Sequence, residues 1–223
     1  IRPRDWSSDV CSSDLMAAQK VAGQGGKVVP IAGDVSSVDQ LVRVVDRCRA
    51  EVGEIDTLVN VAGVNRRKPA LDVTEDDYDY ILDINLKGAF FLSQAVGREM
   101  VRRGKGCQIN IASLNSDRPL THVLPYAISK AALVQMTRAL VAEWGGRGVR
   151  VNAIAPGPII APETTTDDEF AAVERSTPLG RWGGELEIAK VVLALIDQQA
   201  WVLILHGAPP VGTVTLRLAI RLR

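Results

Sequence analysis

The chain has 223 residues, enough for one α/β domain with a sizeable core. Its 26 basic residues balance its 26 acidic residues, so no charge excess indicates a nucleic-acid partner or an anionic membrane surface. No apolar run reaches the roughly 18 residues of a membrane span, and the cysteines Cys11, Cys48 and Cys107, at unrelated spacings, are typical of a reducing, cytoplasmic location rather than of a metal site.

The first fifteen residues differ from the rest in composition. The segment DWSSDVCSSDL repeats SSD, shows little apolar periodicity and lacks the charged-then-apolar order of a signal peptide. We expect residues 1–15 to be a non-native leader, because they resemble the translation of a sequencing-adapter oligonucleotide. The alternative is a disordered polar arm. In both cases they lie outside the predicted domain.

Strand and helix patterns alternate from residue 16 to residue 196. Short continuous apolar runs predict four strands: Lys27–Ile31, Thr57–Val61, Cys107–Ala112 and Val149–Ile154. Helices are predicted after a Ser37–Gln40 capping box, after a Thr74–Asp77 cap up to Arg103, from Tyr126, and over Glu185–Ile196. This alternation predicts an α/β fold, a three-layer Rossmann-like parallel sheet covered on both faces by helices.

Small or polar residues stand just past the predicted strand ends. They are Asp34, Gly63, Ser113 and the pair Pro156-Gly157. Because the carboxyl ends of parallel strands meet at one rim of a sheet, and ligands bind at that rim, these residues are expected to surround one site.

Tyr126 and Lys130 lie four residues apart on a predicted helix and therefore share a face. A phenol titrates near pH ~10 in water, and a neighbouring ammonium lowers that pKa. Ser113 is placed to hydrogen-bond a carbonyl or alcohol oxygen. The three groups suit proton transfer to an oxygen while a hydride moves to or from its carbon; the alternative is a Tyr and a Lys on a solvated helix face.

Taken in order, these residues resemble the short-chain dehydrogenase/reductase family over residues 16–196. The resemblance rests on Asp34-Val35, Asn60-Val61-Ala62-Gly63, Asn85 in LDINLKGAFF, Ser113, YAISK from Tyr126 to Lys130, and Asn152-Ala-Ile-Ala-Pro156-Gly157. It implies an NAD(P)-dependent oxidoreductase that interconverts a secondary alcohol and a ketone. It also implies a homodimer or homotetramer that associates through the helix ending at Arg103 and the helix after Tyr126.

The resemblance assigns roles to individual residues. Tyr126 is the acid–base group, and Lys130 lowers its pKa and holds the nicotinamide ribose. Ser113 orients the substrate oxygen, and Asn85 positions a water in a proton relay to Lys130. The residues expected to contact NAD or NADP are Asp34, Val35, Asn60, Ala62, Gly63, Tyr126, Lys130, Pro156, Gly157 and Ile159.

Three longer sequence segments narrow the expected substrate class. INIASLNS, ALVAEWGGRGVRVNAIAPG and PLGRWG are similar to family members that act on sugar acids and polyols, such as gluconate 5-dehydrogenases. Ketoacyl-carrier-protein reductases share much of the sequence of these segments. The expected substrate is therefore a sugar acid or polyol, with a 3-ketoacyl thioester as the alternative. A third alternative is a noncatalytic interaction module of the same fold.

Two parts of the family pattern are absent from the sequence. One is the glycine-rich TGxxxGxG turn, which cradles the pyrophosphate at a helix amino end. The other is the second strand, whose end selects NAD or NADP. We therefore expect a domain lacking its first two strands, and an inactive chain. In the family the first strand pairs with the strand equivalent to Thr57–Val61, so its absence leaves one edge of Thr57–Val61 vacant. The strand Lys27–Ile31 then either pairs with that vacant edge or has no partner.

The closing residues 197–223 also depart from the family pattern. Val214, Leu216, Leu218, Ile220 and Leu222 alternate with Thr215, Arg217, Ala219 and Arg221, an arrangement typical of a two-faced strand. The alternative is that these residues are translated from a shifted reading frame. It is favoured to the same degree, because no acidic residue follows Asp197.

Overall fold

The computed structural model describes residues 28–159, 167–196, 201–205 and 216–221. The strands within these ranges are β1 Thr57–Asn60, β2 Gly106–Ile111, β3 Val149–Ile154, β4 Trp201–Leu205 and β5 Leu216–Arg221. The α-helices are α1 Val38–Val52, α2 Glu75–Leu82, α3 Ala89–Arg103, α4 Leu124–Trp144, α5 Asp167–Ser176 and α6 Glu185–Leu195. A π-helical segment, Asp83–Gly88, joins α2 to α3. The predicted leader, residues 1–15, lies outside the described ranges.

The five described strands form one sheet in the order β3-β2-β1-β4-β5. The pairings β3–β2, β2–β1 and β1–β4 are parallel, and β5 alone runs antiparallel to β4. Thr57 lies opposite Cys107 on one side and opposite Val202 on the other. The predicted α/β fold with a largely parallel sheet is confirmed.

Helices cover both faces of the sheet, which explains the uninterrupted apolar strands. Every residue of β1 is buried, as in strands that face helices on both sides. Leu58 packs into a core with α1, α3 and α4. Its neighbour Val59 points the other way, into a second core that Val192 and Ile196 complete at the end of α6. The alternation of side chains along a strand thus divides the interior into two cores.

The strand predicted over Lys27–Ile31 is wrong for the residues described. Val28 to Pro30 have no regular structure and Ile31 forms only an isolated bridge. Proline lacks the backbone N–H that a sheet ladder requires, so Pro30 weakens this segment as a partner for β1. Lys27 itself lies outside the described ranges.

Strand β4 takes the edge of β1 that the sequence had left without a partner. Trp201–Leu205 pairs with Thr57–Asn60 in parallel, at the position where the resemblance expects the family's first strand. The run WVLIL is apolar throughout, contains the strand-favouring residues Trp, Val and Ile, and has no proline. The predicted alternatives for this edge, a vacancy or coverage by Lys27–Ile31, are therefore corrected. The strand predicted near the end of the chain is confirmed as β5.

The two predicted helix starts differ in outcome. Thr74 and Asp77 form a capping box, in which the Thr74 side chain accepts from the Asp77 backbone N–H. Ser37 is the N-cap of α1 but makes no side-chain cap hydrogen bond. Gln40 accepts from the backbone N–H of Asp34 instead, at 3.1 Å. The helix start is correct and the Ser37–Gln40 capping box is wrong, because the loop before α1 uses the glutamine.

Within the part of the chain that the structure describes, no helix is both long enough and apolar enough to cross a membrane.

Candidate active site

The loops after β2 and β3 are joined at the carboxyl rim of the sheet. Ala112 donates its backbone N–H to Ile154 O at 2.7 Å, and Leu114 donates to Pro156 O at 2.9 Å. Ser113 lies between these two hydrogen bonds and is half-buried. Its Oγ accepts from the Asn115 backbone N–H at 3.2 Å. Ser113 and Pro156 are thus neighbours, as the strand-end argument predicted.

Helix α4 carries Tyr126 in its first turn and Lys130 one turn later. Pro125 lies within the first two helical positions, where its missing N–H costs no helical hydrogen bond. Lys130 is only 3% exposed, and its Nζ donates to Ile111 O at 2.8 Å. The Nζ lies 5.8 Å from the centroid of the Tyr126 ring. The predicted shared face of Tyr126 and Lys130 is present.

Burial sets the ionisation of Lys130. Removal from water disfavours the charged form and lowers the pKa of the Lys130 ammonium from 10.5 to about 8. An ammonium has three N–H donors, and Ile111 O is its one hydrogen-bond acceptor among the described residues. The other donors are available to hydroxyl groups of a ligand at this rim.

Gly63 leaves the space beside Lys130 open. A Cβ added at Gly63 would lie 3.1 Å from Lys130 Nζ and 3.6 Å from Asn85 Oδ1. Glycine therefore lets the loop after β1 approach both side chains closely. This cradle and the spare donors of Lys130 fit the ribose of a nicotinamide nucleotide.

Asn85 is fully buried in the π-helical segment. Its Oδ1 accepts from the Val64 backbone N–H at 2.7 Å, and its Nδ2 donates to Val64 O at 2.9 Å. π-helical turns are frequent at functional sites; here the turn lies where Asn85 holds the loop that contains Gly63. The long helix predicted from residue 75 to Arg103 contains this interruption around Asn85, which its apolar periodicity did not reveal.

The loop with Asp34 and Val35 packs against the same π-helical segment. A Cβ at Gly88 would overlap the backbone oxygen of Val35, so only glycine permits this contact. Val35 is 1% exposed and its side chain belongs to the core. The Asp34 carboxylate accepts from the backbone N–H and the hydroxyl of Ser36, at 2.9 Å and 2.7 Å. Val35 can therefore meet a nucleotide only through its backbone.

The Asn60 side chain also faces inward. It is 3% exposed, and its Nδ2 donates to Asn110 Oδ1 at 2.8 Å and to Ser93 Oγ at 3.0 Å. The amide thus connects β1 to β2 and α3, and the residues of this loop with more open positions are Ala62 and Gly63.

The remaining predicted cofactor residues follow β3. Pro156 accepts from Leu114, as described above, and Gly157 is exposed with open space around its Cα. Ile159 forms an isolated parallel bridge with Gly183. The segment after β3 is thereby tied on one side to the Ser113 loop and on the other to the turn before α6.

A second contact holds the loop that precedes Tyr126. Lys68 donates its backbone N–H to His122 O at 2.9 Å, and His122 has a left-handed backbone with φ 64°. The Lys68 ammonium and the Arg66 guanidinium pair with Asp77 at the start of α2, and hydrogen bonds from Lys68 and Thr74 lower the pKa of Asp77. The loops after β1 and β2 are thus fixed to each other beside the site.

The sequence had given no role to Ser129, which the structure buries completely between Asn85 and Tyr126. The available signal was a serine in a helix interior, where its hydroxyl competes for backbone hydrogen bonds and needs a specific partner.

The lowered pKa of Lys130 predicts a pH-dependent stability. Between pH 8 and 10.5 the unfolded chain binds a proton that the folded chain does not, so the free energy of unfolding rises with pH in this window. A shift of this size corresponds to roughly 3 kcal/mol. The stability of the parent relative to Lys130→Met should therefore rise by about that amount across the window, measured by urea unfolding.

Lys105→Met is the control for this measurement, because Lys105 is exposed and its removal should leave the pH dependence unchanged. A stability difference between the parent and Lys130→Met that stays flat with pH would show that Lys130 is hydrated in the folded protein.

Comparisons with known proteins agree with this geometry. Residues 8–204 match the sequence model of a family described as enoyl-(acyl carrier protein) reductase. The 2-dehydro-3-deoxy-D-gluconate 5-dehydrogenase of Escherichia coli is 35% identical over 170 residues, which cover 74% of this chain and 67% of that protein. The 3-oxoacyl-[acyl-carrier-protein] reductase of Thermotoga maritima is 36% identical over 198 residues, 87% of this chain and 80% of that protein.

A solved structure shows the same architecture. It is the gluconate 5-dehydrogenase from Burkholderia cenocepacia in complex with NADP and tartrate, with a TM-score of 0.74 and 31% identity. The match covers 82% of this chain and 73% of that one. Together with the buried Asn85, the Ser113 loop and the Tyr126–Lys130 turn, these matches show that the chain belongs to the short-chain dehydrogenase/reductase family.

Proposed function

We propose that the site is that of an NAD(P)-dependent oxidoreductase that interconverts a secondary alcohol and a ketone. The single observation that supports this most strongly is the buried ammonium of Lys130, 5.8 Å from the Tyr126 ring and beside the Gly63 loop. A buried cation next to a phenol favours the phenolate, and a proton-transfer group at an oxygen is what carbonyl reduction needs.

Each residue has a separate task in the proposed reaction. A bound nicotinamide supplies or accepts the hydride. In the reductive direction Tyr126 donates its phenolic proton to the substrate oxygen, and Lys130 stabilises the phenolate that remains. Ser113 donates a hydrogen bond to the same oxygen and so orients the carbonyl. Asn85 holds the loop at Gly63 and, as the resemblance implies, positions a water that returns the proton through Lys130.

The residues proposed to hold NAD or NADP lie along the rim already described. Lys130 and Tyr126 meet the nicotinamide ribose, and Ala62 and Gly63 pass beside the adenine ribose. Asp34 meets the adenine, with Val35 and Asn60 contributing backbone only. Pro156, Gly157 and Ile159 form the wall next to the nicotinamide.

A sugar acid or polyol is the proposed substrate class. The relatives named as deoxygluconate, gluconate and D-threitol dehydrogenases support it. The alternative, a 3-ketoacyl thioester, is supported by the Thermotoga relative, which the chain covers more fully. We also propose that residues 16–196 form the catalytic domain, whose sheet β4 and β5 extend. The proposed location is the reducing cytoplasm, where the buried thiols of Cys48 and Cys107 stay free.

The test uses a chimera, because the sequence lacks the glycine-rich turn. In the chimera, residues 16–196 are joined to the amino-terminal and carboxyl-terminal segments of the E. coli deoxygluconate dehydrogenase. NADH or NADPH oxidation is followed with keto sugar acids, ketoses and an acetoacetyl thioester, beside the unaltered 223-residue chain. Turnover with the sugar-type ketones and not with the thioester is expected. Preference for the thioester would support the alternative, and a folded chimera that binds the cofactor without turnover would support the noncatalytic module.

We also propose that two copies associate through the α3 and α4 surfaces. A groove of about 610 Å³ between the π-helical segment and α4 is lined mainly by apolar residues, among them Leu86, Phe90 and Met136. Phe90 is 41% exposed and lies in this groove, and a contiguous exposed apolar surface is typical of a protein–protein interface. Phe90→Asp in the chimera should convert a dimer or tetramer into monomers, measured by light scattering.

Leu71→Asp is the matched control, because Leu71 is 99% exposed and outside this groove. A parent chimera that is monomeric at micromolar concentration would contradict the proposed interface.

A further inference from the structure

A hydroxyl inside helix α4 connects two residues of the site that lie on different elements. Ser129 is fully buried. Its Oγ donates to the Tyr126 backbone carbonyl at 2.7 Å. The same Oγ accepts from Asn85 Nδ2 at 3.0 Å. The proton and one lone pair of this hydroxyl are therefore both used within the site.

The hydrogen bonds of Asn85 give the connection a direction. Asn85 Oδ1 must accept from the Val64 N–H, which leaves Nδ2 as the group that faces Ser129. Because Ser129 accepts that N–H, its own proton is turned toward the Tyr126 carbonyl. A series of hydrogen bonds, each donated in the same direction, thus leads from the loop after β1 through Asn85 and Ser129 to the first turn of α4.

We propose that Ser129 is a positioning residue, which secures the Asn85 amide against the Val64 backbone and holds the Tyr126 turn in register with the loop at Gly63. Its importance for catalysis rests on the proposed function, whereas its effect on Asn85 does not. Without the hydroxyl, one N–H of Asn85 Nδ2 is buried with no acceptor, which is costly. The amide is then held only by its two hydrogen bonds to the Val64 backbone, so these bonds open more often and the Val64 N–H is less protected.

Helix α4 provides a matched control about two turns further along. Thr137 is 6% exposed, and its Oγ1 donates to Leu133 O at 2.9 Å. It also accepts from Asn110 Nδ2 at 2.8 Å. Thr137 therefore makes the same two kinds of hydrogen bond as Ser129, but its asparagine partner lies on β2 instead of the π-helical segment. If removing any buried hydroxyl from α4 lowers the protection of backbone amides in the site, the Ser129 and the Thr137 variants will both show it.

The test is amide hydrogen exchange at Val64 in the cofactor-free 223-residue chain, which requires no activity. Ser129→Ala should lower the protection of the Val64 amide at least tenfold, whereas Thr137→Ala should leave it unchanged. Ser129→Cys, which fills the site but is a weak acceptor and a weak donor, should show the same selective loss and serves where the alanine variant does not fold. In the same samples, the pKa of Lys130, which burial lowers, should move up toward its ordinary value in the Ser129 variants only, because a loosened loop at Gly63 lets water reach the ammonium; NMR titration measures this.

Unchanged Val64 protection in the Ser129 variants, or an equal loss in Thr137→Ala, would overturn the proposal. A selective loss at Val64 with no movement of the Lys130 pKa would also overturn it, because Ser129 would then hold Asn85 without affecting the site. A chimera without catalytic activity would count against the proposed function. It would not affect the measurements of Val64 protection and of the Lys130 pKa, which need no activity.

Discussion

Tyr126→Phe in the chimera is expected to lower kcat by about a thousandfold while the Kd for NAD(P)H stays within a few-fold. Phenylalanine preserves the ring beside Lys130 and removes only the hydroxyl, so the loss is that of the proton donor. A positioned acid–base group typically contributes on the order of 10²–10⁴ in rate. Stopped-flow rates with saturating substrate and cofactor measure kcat, and fluorescence titration measures the Kd.

Tyr78→Phe is the control for this experiment. Tyr78 is 42% exposed at the start of α2, so its hydroxyl should be dispensable. Lys130→Met should differ from Tyr126→Phe in raising the cofactor Kd as well, because the ammonium is proposed to serve both the phenol and the ribose. Near-full activity of Tyr126→Phe would show that another group transfers the proton.

The second large effect concerns cofactor affinity. The 223-residue chain is expected to bind NAD(P)H about a thousandfold more weakly than the chimera. The sequence lacks the glycine-rich turn that donates backbone N–H groups to the pyrophosphate at a helix amino end. Two or three charge-assisted hydrogen bonds at roughly 2 kcal/mol each account for a loss of this size. Isothermal titration calorimetry on both proteins measures the difference.

The structure corrects the expectation about the edge of β1 and leaves the expected loss of cofactor affinity unchanged. β4 lies beside β1, so that edge is covered, and Val28–Ile31 does not occupy it. The part of the proposed cofactor site formed by Lys130 and Gly63 is present in the 223-residue chain. Micromolar binding of NAD(P)H to this chain would show that its own residues replace the glycine-rich turn.

The sequence predicted those parts of the molecule that depend on local pattern. The strand predicted over Thr57–Val61 is present and ends one residue earlier, at Asn60, and the strand predicted over Val149–Ile154 has those bounds. The Tyr126–Lys130 pair shares a helix face, as its spacing predicted. The strand-end argument also placed Ser113 next to Pro156 correctly. Each of these needed only a period of 2 or 3.6 residues and the rule that parallel strands end at one rim.

Other features depend on tertiary contacts that no local pattern encodes. The π-helical turn at Asn85 forms where the amide reaches the Val64 backbone, 21 residues away in sequence. The inward amide of Asn60 depends on Ser93 and Asn110. The pairing of Trp201–Leu205 with β1 joins segments from opposite ends of the chain, and apolar alternation cannot specify which edge a strand selects.

The most direct test of the proposed chemistry follows the hydride itself. The chimera is incubated with a keto sugar acid and a reduced nicotinamide cofactor that carries deuterium at both C4 positions, and the product is examined by mass spectrometry and NMR. Hydride transfer coupled to protonation by Tyr126 predicts one deuterium at the new carbinol carbon, and loss of this product in Tyr126→Phe. A folded chimera that binds the cofactor and yields no deuterated alcohol from any ketone tested would contradict the assignment of the Tyr126–Lys130 site as an alcohol–ketone oxidoreductase.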